Sequence, residues 1–121
     1  MLKNFLWVGL GGAVGSMLRY AVTLLAGALQ ISSNWATVTV NIVGSFLIGL
    51  LMSVCGQSTL LLLLTVGLCG GFTTFSTFSS QSLALFQNGQ PMLALAYIFG
   101  TLVFCLLAVW LGVMLGNGVK A

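Results

Sequence analysis

The sequence predicts an all-α membrane protein with four transmembrane helices, the third of them broken. Three observations carry this. The chain has 121 residues, of which 60% are hydrophobic and 2% charged. A spanning helix needs about 20 mostly apolar residues, so four spans nearly fill a single transmembrane domain. That domain covers residues 1–121. The apolar run over 59–86 also holds adjacent glycines and a cluster of hydroxyls at its centre, Gly70-Gly71-Phe72-Thr73-Thr74-Phe75-Ser76-Thr77-Phe78. Broken backbone at membrane depth is tolerated only where protein buries it or where it lines a polar cavity.

The first helix is expected over 4–29. It reads as a span and not as a removable signal peptide, because it contains Arg19 and runs past signal-peptide length. Gly11 and Gly15 have the spacing that lets two helices approach closely. Arg19 has no acid anywhere in the chain to pair with. Its partners are carbonyls, water, lipid headgroups or an anion, and a snorkelling arginine at a helix end fits equally well. Gln30-Ile31-Ser32-Ser33-Asn34 is turn-like, with Ser33 or Asn34 as the expected cap of the next helix.

The second helix is expected over 35–54, with Asn41, Ser45 and Gly49 on one face and Thr37 in the same stripe. Asn41 offers two donors and an acceptor. It reads as inter-helix glue and as pore lining with equal weight. Gly56-Gln57-Ser58 is a short turn. The third helix is expected over 59–86, broken near 70–74. Each glycine there weakens a helix by about 1 kcal/mol relative to alanine. The plainer alternative is a packing notch with hydroxyls bonded back to the helix. Phe75 and Phe78 share a face that Ser76 and Thr77 flank, a spacing that also fits core packing. Asn88-Gly89 marks a turn and Pro91 suits the first turn of the fourth helix, expected over 91–115. Tyr97, Thr101 and Cys105 form a weakly polar stripe on it. Gly112 and Gly116 repeat the close-packing spacing, and 116–121 reads as a short tail.

The chain has no Asp, Glu or His. That excludes proton coupling through an intramembrane carboxylate or histidine, carboxylate acid–base chemistry, Ser-His-Asp catalysis and carboxylate metal sites. The chain does not read as an enzyme. Cys55, Cys69 and Cys105 match no zinc or redox spacing and read as small packing residues. The net charge of +3 comes from Lys3, Arg19 and Lys120, which form no nucleic-acid-binding patch. With four spans, Lys3 and Lys120 share one side, which favours the cytoplasm, but the loops carry no Lys or Arg to reinforce that bias.

Taken together, the stripes supply neutral hydrogen-bond donors and one fixed positive charge. Such a path suits a small, strongly hydrated anion, and phenylalanine ring edges would assist it. Backbone carbonyls at the break suit a small cation instead. Four short helices hardly enclose a pore, so a homo-oligomer is expected. The weak charge bias permits both insertion directions.

The chain resembles the Fluc family of fluoride channels, also called CrcB. The resemblance rests on Gly11-Gly12-Ala13-Val14-Gly15 with Arg19-Tyr20, on Asn41-Ile42-Val43-Gly44-Ser45-Phe46, and on the Gly70–Phe78 motif, and it covers essentially the whole chain. It implies a fluoride-selective channel that passively exports fluoride from the cytoplasm and relieves fluoride toxicity. It implies an antiparallel, dual-topology homodimer in a bacterial inner membrane, with two pores and a central structural sodium ion. The sodium would be held by backbone carbonyls, which match Gly70 and Thr73 here. The family's pore residues match Asn41, Phe75 and Phe78. Its hydroxyl track matches Ser76, Thr77, Tyr97 and Thr101, with Cys105 where the family often has serine. Arg19 matches the family arginine.

Rival readings stay distinct. Small multidrug exporters share the size but need an intramembrane glutamate, which this chain lacks. A non-conducting assembly subunit would not require a hydroxyl-rich break.

Overall fold

The computed structural model describes residues 1–54 and 58–120, and among them every regular element is helical. Helix α1 is Leu2–Ala28 and α2 is Ser33–Val54. The third span, Thr59–Gln87, is assembled from pieces. These are α3 (Thr59–Leu62), a π-helical stretch (Leu63–Cys69), α4 (Gly70–Phe72), three non-helical residues, and α5 (Ser76–Gln87). Helix α6 is Pro91–Lys120. All four spans are long and apolar enough to cross a membrane. The packing role expected of Cys55, the turn at Gly56 and Gln57, and the Lys120 side chain lie outside the described residues.

Local chemistry sets the ends of these elements. The cap of α2 is Ser32, one residue before the expected Ser33 or Asn34. Its Oγ accepts the Asn34 N–H at 3.3 Å, and its carbonyl accepts Trp35 N–H at 3.1 Å. The turn before α6 places Gly89 at φ +76, a conformation most side chains avoid. Helix α6 runs beyond 115 because its end is packed. Gly116 is buried, and a Cβ there would collide with Ser53 of α2. The π-helical winding has no signature in Leu63-Leu64-Thr65-Val66-Gly67-Leu68-Cys69, and nothing in the structure explains it.

Two glycine seams hold the bundle. In the first, α1 lies on the front half of the third span. A Cβ at Gly11 would collide with the Leu63 carbonyl, and one at Gly15 with the Leu68 carbonyl. From the opposite side, Cβ atoms at Gly67 and Gly71 would sit 2.8 Å from the Val8 oxygen and 2.6 Å from the Gly12 oxygen. In the second seam α2 packs along α6. There Gly49 meets the Val109 carbonyl and Gly112 meets the Phe46 carbonyl. Ser53 Oγ donates to the Gly49 carbonyl at 2.8 Å and lies 3.3 Å from the Val113 carbonyl. Small residues allow this approach, and packing replaces the hydrophobic drive that lipid removes. Helix α5 packs on α6 and touches α2. Large apolar side chains such as Phe5, Met17, Phe99 and Leu106 point outward, as lipid-facing surface requires.

Candidate functional site: the broken third span and its cleft

The helix stops at Thr73, whose backbone is extended (φ −83, ψ 161). Gly70 and Gly71 were expected to interrupt it, yet both remain helical, and the break occupies 73–75. Gly71 serves the seam with α1 instead, where no Cβ fits against Gly12. Every polar backbone group in such a break needs a partner or a polar cavity. Thr73 donates both its N–H and its hydroxyl to the Cys69 carbonyl, each at 3.0 Å. The next amide, Thr74 N–H, would serve the Gly70 carbonyl in a continuous helix. It donates instead to Asn41 Oδ1 at 2.8 Å, while Asn41 Nδ2 donates to the Thr74 carbonyl at 2.9 Å. The paired bonds fix which way the Asn41 amide points. Arg19 Nε donates to the Gly71 carbonyl at 3.1 Å. Finally, Thr74 Oγ1 accepts Thr77 N–H at 3.2 Å and caps α5. In a continuous helix that amide would serve the Thr73 carbonyl. The Gly70 and Thr73 carbonyls therefore both lose their helical partners.

Both residues line one cleft of about 310 Å³. Asn41 and Ser45 come to it from α2, Cys69 and Thr74 from the third span, and Thr101 and Cys105 from α6. Phe75 and Phe78 form one wall, with ring centroids 5.8 Å apart and tilted by 51°. Phe78 is buried and tilts against Tyr97 at 5.3 Å, whereas Phe75 is 74% exposed. Among the described residues, Thr101 Oγ1 is the one buried side-chain oxygen or nitrogen without a hydrogen-bond partner. Thr101 is 6% exposed and also borders a second cavity of about 320 Å³, lined by Trp35, Tyr97 and Phe104. It stands in the wall between the two.

The profile of the CrcB-like protein family, Camphor Resistance (CrcB), matches residues 6–113. The chain belongs to the CrcB family. Among its CrcB relatives is a protein of Thermus thermophilus, 45% identical over 96% of this chain and 97% of its own length. Another, from Rhodospirillum rubrum, is 42% identical over 96% of this chain and 99% of its own. A third, from Paracoccus denitrificans, is 42% identical over the full length of both. Each is named a fluoride-specific ion channel, FluC. This CrcB chain is a multi-pass membrane protein of a channel family, not an enzyme.

Seven residues of interest to the CrcB resemblance meet in the first cleft: Asn41, Gly70, Thr73, Phe75, Phe78, Thr101 and Cys105. Others lie elsewhere. Ser76 is exposed and Thr77 half-buried, and neither lines that cleft. Tyr97 borders the second cavity, where its hydroxyl donates to Gln81 Oε1 at 2.7 Å. Arg19 sits behind the break on the Gly71 carbonyl. Gln81 escaped the sequence reading, and Thr74 entered it only as one of the motif's hydroxyls. Gln81 follows Thr77 by one helical turn and so shares its face, which was the available signal. The capping role of Thr74 depends on where the break falls.

The donor set at the break fits the sodium ion that the resemblance implies. No cluster of three His, Cys, Asp or Glu exists among the described residues. Two residues whose carbonyls are released from helical bonding line one cleft, and carbonyl dipoles are chemistry suited to a small monovalent cation.

Proposed function

We propose that this chain is a fluoride-specific channel that lets fluoride leave the bacterial cytoplasm passively across the inner membrane, relieving fluoride toxicity. The observation that carries the reading is the partnerless hydroxyl of Thr101, held between two cavities in a chain with no acidic residue. An unsatisfied buried donor costs about 1–3 kcal/mol, and a passing anion would relieve that cost. One N–H of Asn41 remains after the Thr74 pair and adds a second neutral donor on the same cleft. The tilted Phe75 and Phe78 rings would offer their positive edges.

The working unit is an antiparallel homodimer with two pores. Non-helical backbone at 73–75, beside an exposed Phe75, calls for protein or a polar cavity around it at membrane depth, and a second copy would supply that cover. Uncharged loops permit both insertion directions. Gly70 and Thr73 of each copy would hold the structural sodium, whose fixed charge would balance the exposed carbonyl dipoles. The test is efflux from liposomes containing the purified protein. Fluoride should leave at least an order of magnitude faster than chloride, a discrimination worth about 1.4 kcal/mol or more. Comparable fluxes of the two ions would end the reading.

A further inference from the structure

We infer that Asn41 and Thr74 are positioning residues whose side chains intercept two backbone amides and thereby release the Gly70 and Thr73 carbonyls into the cleft. The sequence supplies no ordinary breaker at this point. The only proline, Pro91, lies beyond the span. Gly70 and Gly71 stay helical. Thr73 does not end the helix by itself either: its hydroxyl bonds to the Cys69 carbonyl four residues back, an arrangement that weakens and bends helices only slightly. What distinguishes 73–75 is competition for its amides. The Asn41 side chain takes Thr74 N–H at 2.8 Å, leaving Gly70 without its donor. The Thr74 hydroxyl takes Thr77 N–H at 3.2 Å, leaving Thr73 without its donor.

The neighbouring packing serves the same end. Gly44, one turn after Asn41, is buried, and a Cβ there would collide with the Thr73 γ-methyl. Glycine at that position lets α2 lie close enough for the Asn41 amide to bond both the N–H and the carbonyl of Thr74. The two released carbonyls belong to Gly70 and Thr73, and both residues line the cleft. How they are released is independent of the cation reading proposed above. Only their use rests on it.

The experiment is solid-state NMR of the labelled full-length protein in lipid bilayers, reading the carbonyl carbons of Gly70 and Thr73. In the wild type, both should resonate away from hydrogen-bonded helical carbonyls. Thr74→Val keeps the shape and removes the acceptor, so the Thr73 carbonyl alone should move to the helical position. Thr74→Ser keeps the acceptor and removes the methyl, so both carbonyls should stay where they were. Asn41→Leu should move Gly70 alone. Identical behaviour of the valine and serine variants would reduce Thr74 to a packing residue and overturn the assignment. So would helical positions for both carbonyls in the wild type. If one variant does not fold, the other still reports on its own carbonyl. Melting temperatures of the same proteins with sodium or with choline test the cation separately. Released carbonyls without sodium-dependent stability would reject the cation and leave the positioning roles standing.

Discussion

The α2–α6 seam and the break in the third span are both rich in small and polar residues, yet they solve opposite problems. Along the seam, the helices remain intact and glycines bring the backbones together, with Gly49 against Val109 and Gly112 against Phe46. Ser53, a polar side chain in this seam, donates to the Gly49 carbonyl and lies near the Val113 carbonyl, both of which already belong to helices. At the break the helix is interrupted, and side chains from two other helices replace the missing bonds. Arg19 reaches from α1 and Asn41 from α2. The difference teaches that glycine in this chain marks contact between backbones. Interruption is marked by side chains placed to compete for amides.

The sharpest way to break this comparison is to fill the seam. At Gly112, a Cβ would collide with the Phe46 carbonyl and lie 2.8 Å from the Leu50 nitrogen. Neither is the end of a flexible side chain, so α2 and α6 would have to separate. Gly112→Val should cost about 3 kcal/mol or more, at the upper end of overpacking penalties. The yield of monodisperse protein by size exclusion checks it. Normal yield with full fluoride flux would show that the seam is loose.

A smaller effect separates the two adjacent glycines. At Gly71 an added Cβ would sit 2.6 Å from the Gly12 oxygen, whereas at Gly70 the nearest atom is the Thr65 oxygen at 3.7 Å. Gly71→Ala should therefore lower stability by about 1–3 kcal/mol. Within a single chain, Gly70→Ala meets only ordinary contact and gains helix propensity of about 1 kcal/mol. Thermal melts in detergent compare them directly. Equal losses at the two positions would return both to the role of helix breakers.

These glycines also show what the sequence could reveal. The four spans were legible because apolar runs of spanning length have few alternatives in composition. The break was legible as a region, since hydroxyls at membrane depth demand a reason. Its position was not, because local propensity points at Gly70-Gly71 while the deciding acceptor, Asn41 Oδ1, comes from 33 residues away. Arg19 was readable as an unpaired charge, but its partner is a carbonyl, and carbonyls leave no mark in a sequence. The cleft stripe Asn41, Ser45, Thr101 and Cys105 followed from helical period. Thr37 and Gly49 share the period of α2 but not the cleft. Thr37 bonds back to the Ser33 carbonyl at 3.1 Å, and Gly49 faces α6. Periodicity gives a face of a helix, and only packing decides which neighbour that face meets.

The smallest effect on stability should come from the residue of greatest interest for conduction. Thr101 is buried between the two cavities, and its Oγ1 has no partner. The side chains of Asn41, Thr73 and Thr74 at the break are bonded, so removing one strands its partner. Removing Oγ1 strands nothing. Thr101→Val keeps the shape of the side chain and replaces the hydroxyl with a methyl. Because it deletes an unsatisfied buried group, it should leave the melting temperature unchanged or raise it, by an amount equivalent to about 1–3 kcal/mol at most. Fluoride flux should fall in the same protein, because the donor that an anion would use between the cavities is gone. Stability and conduction are then expected to move in opposite directions at this one position, while at Asn41 both should fall. A lowered melting temperature for Thr101→Val would show that the hydroxyl is a structural bond and not an open donor. Unchanged flux with unchanged stability would remove Thr101 from the path.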